Sequence, residues 1–296
     1  MLANLLNNFR RTDAGLLASI QRDMRSRLLL ALFFISTGIL GALGQSRNET
    51  SNIRKEPLSD AEIQRIIKAF SENEKLFREA LTNYVFNRYA TINTIGLGGQ
   101  ITGTFRRDSF MTFTQDGRRF ERILYAPVPT VSPGLVTAED LEDLGGVNPF
   151  AIEPAALPLY NFSYIGKEKI DDLDLFVFDV TPKVIPDPKK SKQRLFIGRI
   201  WVDDKDLMIV KSKGKAVPET KNNKFPVVET WRENVDGKYW FPSFATSDDE
   251  LVFDNGSVIK IRMRVKYKDY KLGRTDVIIG DAEDASGEKS PTKKPS

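Results

Sequence analysis

After Tyr84 the hydrophobic period of this chain changes from about 3.6 residues to two, and a chain that keeps period two for most of its length has to fold as a sheet. Before the change, Ile63, Ile66, Ile67, Phe70, Phe77, Leu81 and Tyr84 recur at mostly helical spacing. Ser59-Asp60-Ala61-Glu62 stands at the start of that run as a capping box, in which hydroxyl and carboxylate each satisfy an otherwise unpaired backbone N–H. The pattern predicts one amphipathic helix over 59–84. Beyond it, segments 89–95, 101–106, 110–114 and 118–125 are separated by Gly96-Leu97-Gly98-Gly99, Asp108 and Asp116-Gly117, all turn chemistry. Strands resume at Phe162 and continue to about Tyr270, with turns at Asp171-Asp172, Asp203-Asp204, Asp236-Gly237 and Asn255-Gly256. Short turns between successive strands make them antiparallel neighbours.

The clearest strand covers 257–268. Lys260, Arg262, Arg264, Lys266 and Lys268 fall on one face and Ile259, Ile261, Met263, Val265 and Tyr267 on the other. Such alternation is ordinary for a sheet with one wet face, and that reading is preferred to a cationic stripe for anionic lipid.

Residues 127–158 break the rhythm with six prolines, which cannot join the interior of a ladder. Within them Thr137 opens a short acidic helix over 137–143. The part from Val131 to Leu159 carries Leu135, Leu141, Leu144, Phe150, Ile152, Leu157 and Leu159, too much apolar surface to leave solvated. It is read as an excursion with a helical flap, expected to act as a movable lid over an apolar hollow.

At the other end, Arg25 and Arg27 precede an apolar run over 28–43, and Ala42-Leu43-Gly44 places small residues at a cleavage site. Residues 1–44 are therefore expected to be an export segment, cleaved so that the mature chain starts at Gln45, with Met1 or Met24 as the start of translation. The alternative is an uncleaved membrane anchor. Residues 45–57 read as a polar linker, 58–280 as one β domain, and 281–296 as a tail too polar to pack.

The residue inventory narrows the chemistry. There is no histidine and no cysteine, which excludes Ser-His-Asp hydrolysis, His-ligated zinc, thiolate chemistry and disulfides. The net charge is +4, but the first 44 residues hold +3 of it, so the body lacks the cationic excess expected of a nucleic-acid binder. Asp171-Asp172-Asp174 and Asp203-Asp204-Asp206 each lie between apolar strands, where aspartate stabilises turns, and neither has the glycine and distal glutamate of a calcium loop. No catalytic residue, metal or cofactor is expected.

What remains is greasy. Phe105, Phe113, Phe120, Phe162, Trp201, Trp231 and Trp240 sit on expected strands, and with Leu144 of the excursion they are the candidate lining of a lipid cavity. Periodicity gives the face of a residue and not what lies against it, so core filling and cavity lining stay open for each.

The order of long amphipathic helix, strands, proline-rich excursion and further strands resembles the LolA/LolB superfamily of lipoprotein carriers and receptors, which includes the stress regulator RseB. VTAEDLEDLGGVNPF, YIGKEKIDDLDLFVFDVTPK, FIGRIWVDDKDLMIVKSKGKAVPE and DGKYWFPSFATSDDELVF followed by IRMRVKYKDYK are similar to a group labelled outer membrane lipoprotein-sorting proteins. The resemblance implies an α+β, β-rich fold: an incomplete, half-open antiparallel β-barrel packed on the N-terminal amphipathic helix, whose hollow accepts acyl chains. Arg106 or Arg107 is the nearest match to the functional arginine of LolA. The chain departs from the family in its extra strands after Trp231 and in lacking the lipidated cysteine of a LolB-type receptor. Two functions follow as expectations: a periplasmic carrier or chaperone for lipoproteins or lipids, or a non-catalytic module sensing envelope stress through an inner- or outer-membrane protein partner.

Overall fold

In a computed structural model, which describes residues 52–114, 118–136, 151–221 and 223–273, the helical period resolves into α1 (Asp60–Leu81). The Ser59 hydroxyl accepts the Glu62 backbone N–H at 3.2 Å, so one arm of the capping box is made. The Glu62 carboxylate turns to Arg65 instead, which donates to it at 2.7 and 3.0 Å. The helix stops at Leu81 because Tyr84 already belongs to the first strand. Arg119 closes that end by donating to the carbonyls of Leu81 and Tyr84, where a helix leaves acceptors unpaired.

Among the described residues ten strands follow: β1 (Tyr84–Ile95), β2 (Ile101–Phe113), β3 (Arg119–Tyr125), β4 (Tyr160–Ile170), β5 (Leu173–Pro182), β6 (Leu195–Asp203), β7 (Ile209–Val217), β8 (Val228–Val235), β9 (Tyr239–Val252) and β10 (Val258–Leu272). They form one antiparallel sheet in the order β3-β2-β1-β10-β9-β8-β7-β6-β5-β4. Sheet neighbours are chain neighbours except at the third and fourth positions, where β1 pairs with β10, and the one pair of consecutive strands that do not meet, β3 and β4, forms the two edges. The turn expected at Asp108 is not made. β2 runs straight through it, the Asp108 carboxylate takes two hydrogen bonds from Arg106 at 2.7 and 3.2 Å, and the β2–β3 register shifts there.

One helix serves two distant parts of this sheet. Ile66, Ile67 and Phe70 of its first half pack on Phe176, Phe178, Val180, Ile200, Val202 and Ile209, in β5 to β7. Phe77, Ala80 and Leu81 of its second half pack on Phe86, Met111 and Phe241, in β1, β2 and β9. A sheet that meets both halves of a single helix must curve around it, while its edges β3 and β4 stay unpaired with each other. The fold is β-rich, an open half-barrel on an amphipathic helix.

The face turned away from α1 has its own apolar cluster of Leu175, Val177, Trp201 and Val210, joined by Ile53. Residues expected to be linker thus contribute to the sheet. Arg54 and Lys167 exchange backbone hydrogen bonds of 2.7 and 2.9 Å, and the Arg54 carbonyl lies 2.3 Å from where a Cβ on Gly166 would stand. Only glycine permits that approach.

Both described ends of the proline-rich excursion rest on the helix side. Thr130 and Val131 lie over Gly103, 2.7 and 2.9 Å from the place of its missing Cβ. Ile152, Ala156 and Leu157 pack into the core under α1, and Glu153 pairs with Arg78. The export segment, the flap 137–143, Leu144, the Asp116-Gly117 turn and the tail 281–296 lie outside the described residues, as does most of the linker.

Candidate functional site

Even-numbered residues of β1 face α1, and the register extends each of them into a row across the sheet. Phe86 stands beside Met111, under the end of the helix. The next row holds Arg88 with Ser109 and Tyr267, then Ala90 with Arg107, Val265 and Ala245, then Ile92 with Phe105, Met263 and Ser247. From Ala245 the middle row continues through Thr230 and Ser212. The cluster of Ala90, Ala245, Met263 and Val265, with Ile92, Val228 and Tyr267 against it, takes nothing from α1. The helix therefore packs on one part of the concave face, while a second part, with buried Ala90, Ala245, Val265 and Met263, forms a cluster apart from it.

Farther along, Gly198 and Gly214 oppose each other across β6 and β7, and the Phe196 ring lies against both. A Cβ on Gly214 would stand 2.4 Å from the Ile197 carbonyl and 2.5 Å from that ring. The small residues here are required by the packing.

Polar groups collect at one end of the strip. Arg88 is 1% exposed. Its Nη2 donates to Glu121 at 2.5 Å, while Nε and Nη1 find no hydrogen-bond partner among the described residues. Burial pulls the Arg88 guanidinium below its ordinary pKa, partly offset by the Glu121 charge. Glu121 is fully engaged: Ser109 Oγ donates to it at 2.5 Å, and Arg107 donates through Nε and Nη2 at 3.0 and 2.8 Å. A second buried oxygen, Ser247 Oγ, is also unpaired among the described residues.

The residues singled out from sequence divide between the two faces. Phe105 lies on the concave face beside Ile92 and is buried there. Phe162 packs on Phe70 and Tyr160, with ring centroids 5.7 and 6.1 Å apart, and so fills the core under α1. Phe113 is held by the Arg119 guanidinium, 4.8 Å above its ring. Phe120 pairs with Thr112, faces outward and is 42% exposed. The three tryptophans gather on the outer face. Lys211 Nζ lies 4.7 and 4.2 Å from the rings of Trp201 and Trp231, a cation held between two π faces. Their indole N–H groups are all used, by Glu168, Glu229 and Asp206 for Trp201, Trp231 and Trp240. Of the two arginines named by resemblance, Arg107 is on the concave side and Arg106 is turned outward onto Asp108 and Tyr125.

Sequence reasoning missed Arg88, Ser109 and Glu121. The signal was present: the alternation that begins at Tyr84 puts a charged residue at an inward position, between Phe86 and Ala90. Starting the strand at Tyr89 hid it.

The aspartate clusters work as turn chemistry. Asp171 adopts a positive φ of 53°, and Asp203 Oδ2 accepts the backbone N–H groups of Lys205 and Asp206 at 3.2 and 3.1 Å. Among the described residues no group of three or more acidic side chains could hold a metal ion.

No family model and no curated protein matches the chain. Among solved structures it is similar to a DUF1329 family protein from Desulfovibrio piger, at 14% identity over 73% of this chain and 95% of that one, TM-score 0.37. It is similar to a LolA superfamily protein from Nitrosomonas europaea, at 15% identity over 71% and 93%, TM-score 0.30. A third is a putative outer membrane lipoprotein-sorting protein domain from Vibrio parahaemolyticus, at 11% identity over 69% and 90%, TM-score 0.29.

Proposed function

We propose that the protein is an exported, non-catalytic carrier or chaperone that shelters acyl chains of lipoproteins or related lipids in the part of the half-barrel that α1 leaves free. The observation that carries this reading is the strip of Ala90, Ala245, Val265 and Met263: apolar, inward-facing, and packed by no described residue of the helix that fills the rest of the concave face. In the proposed reading these residues floor the acyl-chain site, and each methylene sheltered against them would contribute about 0.8 kcal/mol. Export through residues 24–44 would deliver the body to the periplasm, where lipoproteins change membranes. Among the described residues no helix is long and apolar enough to cross a membrane.

Native mass spectrometry of gently isolated protein should show bound lipid or lipoprotein. Filling the strip with Ala245→Leu should cut uptake of an acyl probe by about tenfold, because the added carbons displace about two methylenes of ligand. A lipid-free native protein that takes up no acyl probe would overturn the reading.

A further inference from the structure

Two guanidinium groups and one carboxylate share the concave face where the small-residue strip meets the end of α1, and the deeper guanidinium is the one left short of partners. Arg88 spends one nitrogen on Glu121 and keeps Nε and Nη1 unpaired among the described residues. Glu121 cannot serve it further, since Arg107 and Ser109 already donate to both its oxygens. The nearby Asp108 faces outward and belongs to Arg106. Arg88, Arg107 and Glu121 together therefore carry a net +1 in a site of low polarity, where charge is poorly screened.

A neutral hydroxyl or ester could accept the free N–H groups, but it would leave that charge uncompensated. An oxyanion supplies both acceptors for Nε and Nη1, which lie on different edges of the guanidinium, and the balancing charge, and its hydrogen bonds to a cation are stronger than those of a neutral acceptor. The register gives the rest of the ligand its direction. A group held at Arg88 stands beside Ala90, with Val265 and Ala245 in the same row and Met263 in the next.

We infer that Arg88 is a headgroup-recognition residue, and that the hollow takes an anionic amphiphile whose phosphate or carboxylate sits on Arg88 while its chain runs along the strip. The inference rests on the proposed reading of the strip as an acyl-chain site.

The test uses the full chain and three probes: oleoyl lysophosphatidic acid, monooleoylglycerol with the same chain and a neutral head, and inorganic phosphate. Calorimetry below the micellar concentrations should find the anionic lipid bound about tenfold more tightly than the neutral one, as expected for one charge-assisted contact in a desolvated site. Arg88→Met should remove most of that ratio and retain the neutral lipid, since Glu121 keeps Arg107 and Ser109. Should that variant not fold, the wild type still answers: with 15N-labelled arginine, the Nε–Hε resonance of Arg88 should shift with the anionic lipid and not with the neutral one. Equal affinities in the wild type, or a preference that survives Arg88→Met, would overturn the inference and leave the acyl site standing. An Arg88 response to inorganic phosphate as large as that to the lipid would overturn the amphiphile in favour of a free oxyanion. Failure of both lipids to bind would remove the acyl site and this inference with it.

Discussion

Arg232 reaches from β8 to α1, where Nη1 and Nη2 hold the Glu74 carboxylate at 2.5 and 3.0 Å, and Nη1 also donates to the Ile209 carbonyl at 3.1 Å. Its guanidinium lies 4.3 Å above the Phe77 ring, and both charged side chains are almost fully buried. Removing one partner strands the other charge, so Glu74→Ala should cost about 3–5 kcal/mol in urea unfolding, whereas Glu74→Leu combined with Arg232→Met should recover most of it. Tyr84 offers a pH-dependent counterpart. Its hydroxyl donates to Asp236 at 2.6 Å, and that bond, with burial and the Asp236 charge, pushes its pKa up to about 12. Because the folded value lies above that of the unfolded chain, this contribution is intact below pH 10 and is lost as pH rises toward 12. Denaturation across that range should show the wild type losing about 2–3 kcal/mol that Tyr84→Phe does not lose. Glu74 sits among apolar residues on the buried face of the helix pattern. That a buried cation answers it is a fact of pairing between residues 158 apart in sequence, which no local pattern carries.

Among the elements, the helix and most of the strands were legible because period and turn chemistry are local. The β8–β9 hairpin is an instance: Asp236 and Gly237 take φ values of 56° and 67°, a conformation that aspartate tolerates and glycine favours. The error at Asp108 has an equally local cause. Aspartate marks turns on average, but here Arg106 two residues earlier neutralises it along one face of a continuous strand. At β6 and β7 the glycines read as weak strand residues, yet they are where Phe196 lies flat on the sheet. Gly214→Ala would force its Cβ against the Ile197 carbonyl, a backbone atom that cannot swing away. It should cost about 1–3 kcal/mol, seen as a lowered Tm in a thermal melt. A melt indistinguishable from wild type would show that the two strands can separate locally without loss.

At the scale of the molecule, the sheet is joined by its first and last strands in chain order, since β10 lies between β1 and β9. A chain ending at Ser257 would keep α1 and nine strands but split the sheet between β1 and β9. It should fail to give a cooperative unfolding transition, and retention of one would show that the two parts fold alone. By itself, the sequence determined the β-rich class, the amphipathic helix before the sheet, most of the described turns and the absence of histidine and cysteine chemistry. Those features follow from local spacing and from composition. Only the tertiary structure decided which face each aromatic occupies, sending Trp201, Trp231 and Trp240 outward and Phe105 inward. It also decided how far the helix covers the concave face, and that Arg88, Arg107 and Glu121 meet there. The reason is physical: alternation assigns neighbouring residues to opposite faces, but which face turns inward, and what stands beside a residue on it, depends on how distant strands register and curve around one helix.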